Sequence, residues 1–493
     1  METGHLILAA ILLPFFGAIV ISRLDKFPNV REFVTLAISS GLFAIVILLY
    51  LRLLNDQNEQ LVLAEPFKGI FISFALENLG MIFALIASSL WIVTSIYAIG
   101  YMRSHKEQNQ TRFYALFALA ISAVMAIAFS DNLFTLFLFY EVLTLSTYPL
   151  VTHSGTDKAR KSGRIYLGVL MGSSIGLLLL AILIIWHFTG DLSFQEGGIL
   201  QGKLPEHWAI PLYLLFIFGV GKAAVMPMHK WLPAAMVAPT PVSALLHAVA
   251  VVKAGVFTIL KVTVFIFGPD FIQQTSANHW LIWLPMLTIL LASMIAMTKD
   301  NLKERLAYST ISQLSYIVLG ALLANSMGLL GGSLHIAMHA FAKISLFFAA
   351  GAIYVTTHKT QVSELNGLGR KMPITFAVFL IGTLSIIGLP PFGGMWSKWY
   401  LALGTLDFGG PEFTKWALLA TLMISSLLNI AYLASIPMRA FFAPLPSGQT
   451  SDIKEAPLPI LIALSIPAIC CIYLFFYPEP FYGLAQHALN LAK

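Results

Sequence analysis

Fourteen stretches of this chain are apolar for long enough to cross a bilayer, and most are separated by short polar connections. A membrane helix needs roughly 17 to 25 mostly apolar residues, because the hydrocarbon core is about 30 Å thick. The stretches run approximately over 5–22, 33–51, 73–99, 113–129, 132–152, 165–188, 209–226, 241–267, 280–297, 306–324, 328–357, 373–404, 416–438 and 457–477. The seventh continues as a short helix to about 238, and the eleventh and twelfth are long enough to be tilted or broken. Backbone polar groups in hydrocarbon must pair within their own segment. The fold class is therefore all-α, polytopic and membrane-embedded, with about 14 transmembrane helices. Only 11% of the residues are charged, against about 25% in soluble domains. That excludes a water-soluble enzyme, a nucleic-acid binder and a disordered chain. Cys470 and Cys471 are adjacent within an apolar run and offer neither a disulfide framework nor zinc-type spacing.

The basic residues orient the spans. The odd-numbered connections carry 19 of the 29 Lys and Arg residues, in clusters such as Arg103/Lys106/Arg112 and Lys158/Arg160/Lys161/Arg164. The even-numbered connections carry four: Arg52, Lys68, Lys203 and Lys415. Lys and Arg in short loops stay cytoplasmic, so both termini are expected on the outer side of a bacterial cytoplasmic membrane. The first segment reads as a span rather than a secretory leader, since Met1 to His5 contains no Lys or Arg.

Five lysines remain inside spans: Lys222, Lys253, Lys261, Lys343 and Lys398. Glu141 is the one acid near the middle of a span, and Glu77 lies near the end of the third. A charge at the bilayer centre costs about 2.5–3.5 kcal/mol on insertion scales. Such residues normally face protein or water and mark ion or proton paths. Lys261 reads as a snorkelling side chain near a helix end; Lys222, Lys253 and Lys398 are too deep for that. Burial and a nearby carboxylate act on a lysine in opposite directions, so moving Glu141 towards or away from Lys222 would load and unload a proton. The alternative is a static buried ion pair between helices 5 and 7.

Pro227 follows Lys222 by five residues, and Pro390 and Pro391 precede Lys398 in GLPPFGGMWSKW. Proline removes a helical hydrogen bond, and broken membrane helices often mark ion sites. Two broken, lysine-bearing helices of opposite direction fit an inverted repeat of helices 4–8 and 9–13. The expected divisions are 1–110 (helices 1–3), 111–268 (first repeat), 269–440 (second repeat) and 441–493 (helix 14). Helix 11 carries His335, His339 and Lys343 on one face. A proton relay, a metal site and packing histidines compete there; a metal would need further ligands, which no nearby Cys or acid supplies. His247 and His229 are weaker candidates, the latter as a loop residue at the cytoplasmic mouth.

These residues resemble the antiporter-like subunits shared by complex I (NADH:quinone oxidoreductase) and the Mrp multi-subunit Na+/H+ antiporters. The resemblance rests on LFYEVLTL around Glu141, GVGKAAVMPMHKWLPAAMVAPTPVSALLHA, VVKAG, NLKERLAYSTISQLSYIVLG, HIAMHAFAKISLFF and GLPPFGGMWSKW. It covers essentially the whole chain and is densest from about 110 to 405. It implies a proton path through Glu141 as carboxylate partner of Lys222, Lys253 as central relay, His335, His339 and Lys343 as its extension, and Lys398 as the terminal residue. It implies no cofactor and no metal, and partner membrane subunits, protons and monovalent cations. The string YPLVTHSGTDKARKSGRIYL is most like the D subunit of Mrp antiporters. A proton-pumping subunit of complex I or a hydrogenase-type complex, without redox centres of its own, is the alternative, and an inert membrane anchor is a third reading.

Overall fold

A computed structural model describes residues 2–445 and 453–489; Met1 and Lys493 lie outside them. In chain order the helices are α1 (Thr3–Ser22), α2 (Pro28–Leu53), α3 (Asn78–Ser104), α4 (Gln110–Ala128), α5 (Leu133–Val151) and α6 (Asp157–Thr189). Then come α7 (Ala209–Gly219), α8 (Thr240–Phe267), α9 (Ala277–Thr298), α10 (Leu302–Leu323) and α11 (Ser326–Thr357). The rest are α12a (Pro373–Ile387), α12b (Gly394–Leu406), α13 (Glu412–Phe442), α14 (Leu458–Phe476) and a short α15 (Glu479–Ala488). Among the described residues twelve helices are long and apolar enough to span a bilayer. The other two expected spans are the shorter α7 and the split α12.

Sequence explains where several helices start. Asn132, Asn301 and Asn325 accept the backbone N–H three residues on, at 2.8, 3.1 and 2.8 Å. Each satisfies one of the donors that a helix start leaves unpaired, worth about 1 kcal/mol. The interior is built around α11, which is buried over most of its length and packs against α10, α12a, α12b, α14 and α3. Small residues make that close packing possible. A Cβ at Gly331 would stand 2.6 Å from the Leu401 nitrogen, and one at Gly404 would stand 2.5 Å from the Gly328 nitrogen. In lipid, helices associate through such close backbone approach rather than through hydrophobic collapse. Large apolar side chains on the outer helices, Phe16, Leu183, Leu427 and Ile469 among them, are exposed, as a lipid-facing surface requires.

Three helices are interrupted near the intramembrane lysines. α7 stops at Gly219, ahead of Lys222; the expected break at Pro227 therefore begins earlier, and Lys222 sits inside it, on a single tight turn (Gly221–Ala223). The cause is close packing: a Cβ at Gly219 would lie 2.5 Å from the Leu178 nitrogen, and Gly255 of α8 abuts the Lys222–Ala223 backbone. α12 breaks at Gly388, whose φ of +90° suits glycine. α8, expected as the span 241–267, contains a π-turn at Leu245–Val249, a feature frequent at functional sites. α11 is unbroken.

One element departs from the all-helical expectation. Residues Gln60–Phe67 and Ile70–Ala75 form an antiparallel hairpin, β1 and β2. Its turn uses Gly69 at φ +81°, and the last residues of β2, Ser73–Ala75, fall within the stretch expected as the third span.

Substituting Gly255 by alanine should force the Lys222 turn away from α8, at a cost of about 1–3 kcal/mol for overpacking. Thermal melting of the detergent-solubilised complex should show a lowered midpoint. Gly168→Ala, which meets nothing within 4 Å, should melt as wild type.

Candidate functional site

Lys222 is fully buried and held by α5. Its Nζ donates to the Tyr140 carbonyl at 2.8 Å and to Thr144 Oγ1 at 2.6 Å, and stands 3.1 Å from the centre of the Tyr140 ring. The turn that follows α7 thus meets α5, as a Glu141–Lys222 partnership requires. The two side chains form no ion pair, however, and both carboxylate oxygens of Glu141 are buried without a protein hydrogen-bond partner. The lysine instead takes neutral acceptors and the face of an aromatic ring, a favourable setting for a cation.

Lys253 follows on α8, two residues from the glycine that touches the Lys222 turn. Its Nζ is 2.6 Å from His339 Nδ1. His335 lies one turn away on the same face of α11, its ring 5.8 Å from that of His339. His335 Nδ1 is 2.8 Å from Ser397 Oγ, and its ring stacks on Tyr316. Ser397 adjoins Lys398 on α12b. Lys398 Nζ donates to Ser426 Oγ and to the Ile387 carbonyl, both at 3.1 Å, and faces the Tyr316 ring. Ile387 ends α12a, so its carbonyl belongs to the negative end of that half-helix dipole. Gly388 makes room, since a Cβ there would come 2.7 Å from Lys398 Cδ. Lys343, one turn beyond His339, donates to Ser309 Oγ at 2.6 Å, and Tyr432 Oη donates to the same hydroxyl at 3.1 Å.

Contacts thus connect Lys253, His339, His335, Ser397 and Lys398 into a largely buried polar corridor between α8 and α12b, with Lys343 one turn from His339, while Lys222 and Glu141 lie at its α5 end, across the contact of Gly255 with the Lys222 turn. Several polar atoms in it have no protein partner: both Glu141 oxygens, both ring nitrogens of His247, the Nε2 atoms of His335 and His339, and both amide heteroatoms of Gln313. A buried polar atom left unpaired costs about 1–3 kcal/mol, so these atoms call for water, which also conducts protons. Gln313 went unnoticed as a candidate. Its signal was available: it lies four residues after Ser309 and three before Tyr316, on the face of α10 that bears the corridor. His247, also buried, packs on Phe347 with ring centres 4.6 Å apart. His229 lies in the turn after Pro227, beside Tyr308.

The structure corrects the reading of Lys261. Rather than snorkelling, it is 1% exposed and pairs with Glu77 Oε1 at 2.9 Å. No cluster of three or more potential metal ligands occurs among the described residues.

On the side of the Lys/Arg-rich connections, a cavity of about 400 Å³ is lined by His105, Glu107, Thr240, Lys303, Tyr354 and Lys359, among others. Thr240 and Tyr354 belong to α8 and α11, the helices bearing His247 and Lys343. Burial raises the pKa of Glu107, against the opposing pull of His105 and Lys303. Burial lowers that of nearby His153, helped by Arg112.

The family described as NADH:quinone oxidoreductase/Mrp antiporter, TM, matches residues 130–428, which include all seven corridor candidates. NADH-quinone oxidoreductase subunit N of Desulforudis audaxviator (strain MP104C) is 30% identical over 519 aligned positions, covering 99% of each chain. NAD(P)H-quinone oxidoreductase chain 5 of Picosynechococcus sp. is 32% identical over 78% of this chain, which spans 61% of that relative's length. Hydrogenase-4 component B of Escherichia coli (strain K12) is 29% identical over 83% of this chain and 63% of its own length. In fold, the chain resembles one chain of the Mrp complex from Dietzia sp. DQ12-45-1b, with a TM-score of 0.85, 21% identity and coverage of 99% and 97%. It likewise resembles one chain of an archaeal membrane-bound sulfane sulfur reductase, with a TM-score of 0.84, 23% identity and coverage of 98% and 97%.

Because the folded pKa of Glu107 is raised, the native state binds its proton more readily than the unfolded chain, and this site's contribution to stability falls as pH rises through the raised value. Glu107→Gln should therefore gain in thermal midpoint over wild type at pH 8, with the gain shrinking towards pH 5.

Proposed function

The chain belongs to the NADH:quinone oxidoreductase/Mrp antiporter transmembrane family, and we propose that within it the chain is the proton-translocating subunit of a multi-subunit monovalent cation/H+ antiporter, similar to the Mrp D subunit. The observation that carries this reading is the Lys253–His339 contact. It ties Lys253 of α8 to the imidazoles of α11, which lead through Ser397 to Lys398. Without it the buried amines would be isolated charges; with it, proton-exchanging groups follow one another across the protein.

The roles follow from the partners. Lys222 exchanges a proton near Glu141, whose unbonded carboxylate is free to change its distance from the amine. Lys253 passes a proton to His339, which has a second ring nitrogen for the next transfer. His335 continues towards Ser397 and Lys398, and Lys343 with Ser309 and Tyr432 forms a side branch. The Lys/Arg-rich face is cytoplasmic in this reading, and both termini are outside. Residues 111–268 and 269–440 form two inverted five-helix halves, each with a lysine at a helix break, Lys222 after α7 and Lys398 after the split of α12. Partner membrane subunits complete the complex, and the cation route runs at least partly through them, since hard cations prefer several oxygen ligands and Glu141 is the one central acid here.

A second reading has its own support. The relative aligned over 99% of both chains is a subunit of an NADH-quinone oxidoreductase. There the same corridor would pump protons driven by electron transfer in partner subunits. The experiment uses everted vesicles containing the assembled complex and a pH-sensitive dye. Under the antiporter reading, adding Na+ or K+ without respiratory substrate dissipates a preset ΔpH. Lys222→Ala and Glu141→Gln should each slow that response at least about tenfold with the complex still assembled. Proton movement only during quinone reduction would favour the redox reading. Unchanged transport in both variants would refute the corridor.

A further inference from the structure

We propose that the Glu77–Lys261 pair is a second proton-exchange site, through which the first half of the chain communicates directly with the outer face. The proposal rests on the corridor function above and extends it to residues outside the α5-to-α12b line.

Lys261 Nζ is 2.9 Å from Glu77 Oε1 and donates to the Ser130 carbonyl at 2.6 Å, against the Phe194 ring. The ammonium is buried, whereas the Glu77 side chain is about one-fifth exposed. The pair forms part of the wall of a cavity of about 190 Å³, whose rim includes the exposed Asn58 and Glu196. The titratable groups lining it come from every element around it: Glu77 before α3, Asp131 between α4 and α5, Glu196 between α6 and α7, Lys261 on α8 and His487 on α15. The cavity lies on the face opposite the Lys/Arg-rich connections.

On its inner side the pair points back to the corridor. Lys253, Phe257 and Lys261 follow at four-residue steps and so share one face of α8. Eight residues of helix span about 12 Å, too far for direct transfer. By that spacing Phe257 falls between the two amines; it is fully buried, its ring 5.5 Å from Lys261 Nζ and packed on Phe83. It is the barrier. When the ring swings aside and water enters, a proton can pass from Lys253 to Lys261.

The exchange balances simply. The Lys261 ammonium gives a proton to the Glu77 carboxylate, leaving a neutral amine beside a carboxylic acid. The acid releases that proton to water in the cavity, and water carrying a proton from Lys253 recharges the amine; the reverse sequence takes up a proton from outside. A merely structural pair would serve instead to tie α3 to α8, and Glu77 does cap α3 by accepting the Gly80 N–H at 3.0 Å. Glu77→Gln keeps an amide oxygen for that cap while removing the acid.

The test uses vesicles bearing the assembled complex, with its amount quantified and rates expressed per complex. Lys261→Met and Glu77→Gln should lower cation-driven ΔpH dissipation at least about tenfold. Phe257→Ala should raise passive proton leak several-fold without any cation gradient, and the Phe257→Ala/Lys261→Met double variant should abolish that leak. If Lys261→Met folds poorly, Lys261→Gln with Glu77→Gln decides the matter. Wild-type rates per complex in these variants, or a Phe257→Ala leak that persists in the double variant, would overturn the proposal. Lys222→Ala and Lys253→Met run alongside: their loss of transport with Lys261→Met unaffected would refute this site alone, whereas wild-type transport in all of them would refute the corridor itself.

Discussion

An ammonium group taken out of water needs its hydrogen bonds replaced, and the way this chain replaces them shapes its interior. Lys222 uses a carbonyl, a hydroxyl and a ring face; Lys253 an imidazole; Lys343 a hydroxyl; Lys398 a hydroxyl and a helix-end carbonyl. None of these partners carries a fixed negative charge. A buried carboxylate in contact stabilises the charged amine, and neutralising one partner of such a pair strands the other charge at several kcal/mol unless the proton passes between the two, as proposed for Lys261 and Glu77. Neutral acceptors serve the ammonium and leave no stranded anion when the proton departs.

The breaks in the fold serve the same end. A continuous α-helix spends its carbonyls largely on itself, so a buried lysine either shares one, as Lys222 shares that of Tyr140 in α5, or uses one that a helix end leaves free. Ending α12a at Ile387 releases a carbonyl that Lys398 uses. Interrupting α7 at Gly219 turns the Lys222 side chain onto α5. The glycines at 219, 255 and 388 are what allow these interruptions to be packed tightly. Stability and site geometry therefore depend on the same few contacts, and a substitution in them disturbs both.

Much of this is legible in the amino-acid sequence. Long apolar runs define helices in lipid because nothing else can span it, and α1 to α14 lie where those runs lie. The cost of a buried charge singled out Glu141, Lys222, Lys253, Lys343 and Lys398, and four-residue spacing placed His335 and His339 together. What could not be read was pairing between distant helices. Lys261 looked harmless because it stands near the end of α8, and only the fold brings Glu77 to it. Glu141 was expected to touch Lys222, yet the neighbouring Tyr140 supplies the contact through its backbone, which side-chain chemistry does not reveal. Pro227 drew attention to the right loop but not to the residue where the helix ends, since that is set by the packing of Gly219 and Gly255 on neighbouring backbones. The end of β2, Ser73–Ala75, fell within the expected third span because that strand is nearly all apolar and runs into α3.

The central claim is that the amines and imidazoles between α5 and α12b are joined by water into one proton-conducting line. A cryo-electron microscopy map of the assembled complex, at a resolution that shows ordered water, tests it directly. The account predicts water density on the Glu141 carboxylate, on Nε2 of His335 and His339 and on the Gln313 amide, continuous from Lys222 to Lys398. Apolar side chains closed over those atoms, with a dry gap between Lys222 and Lys253, would contradict it.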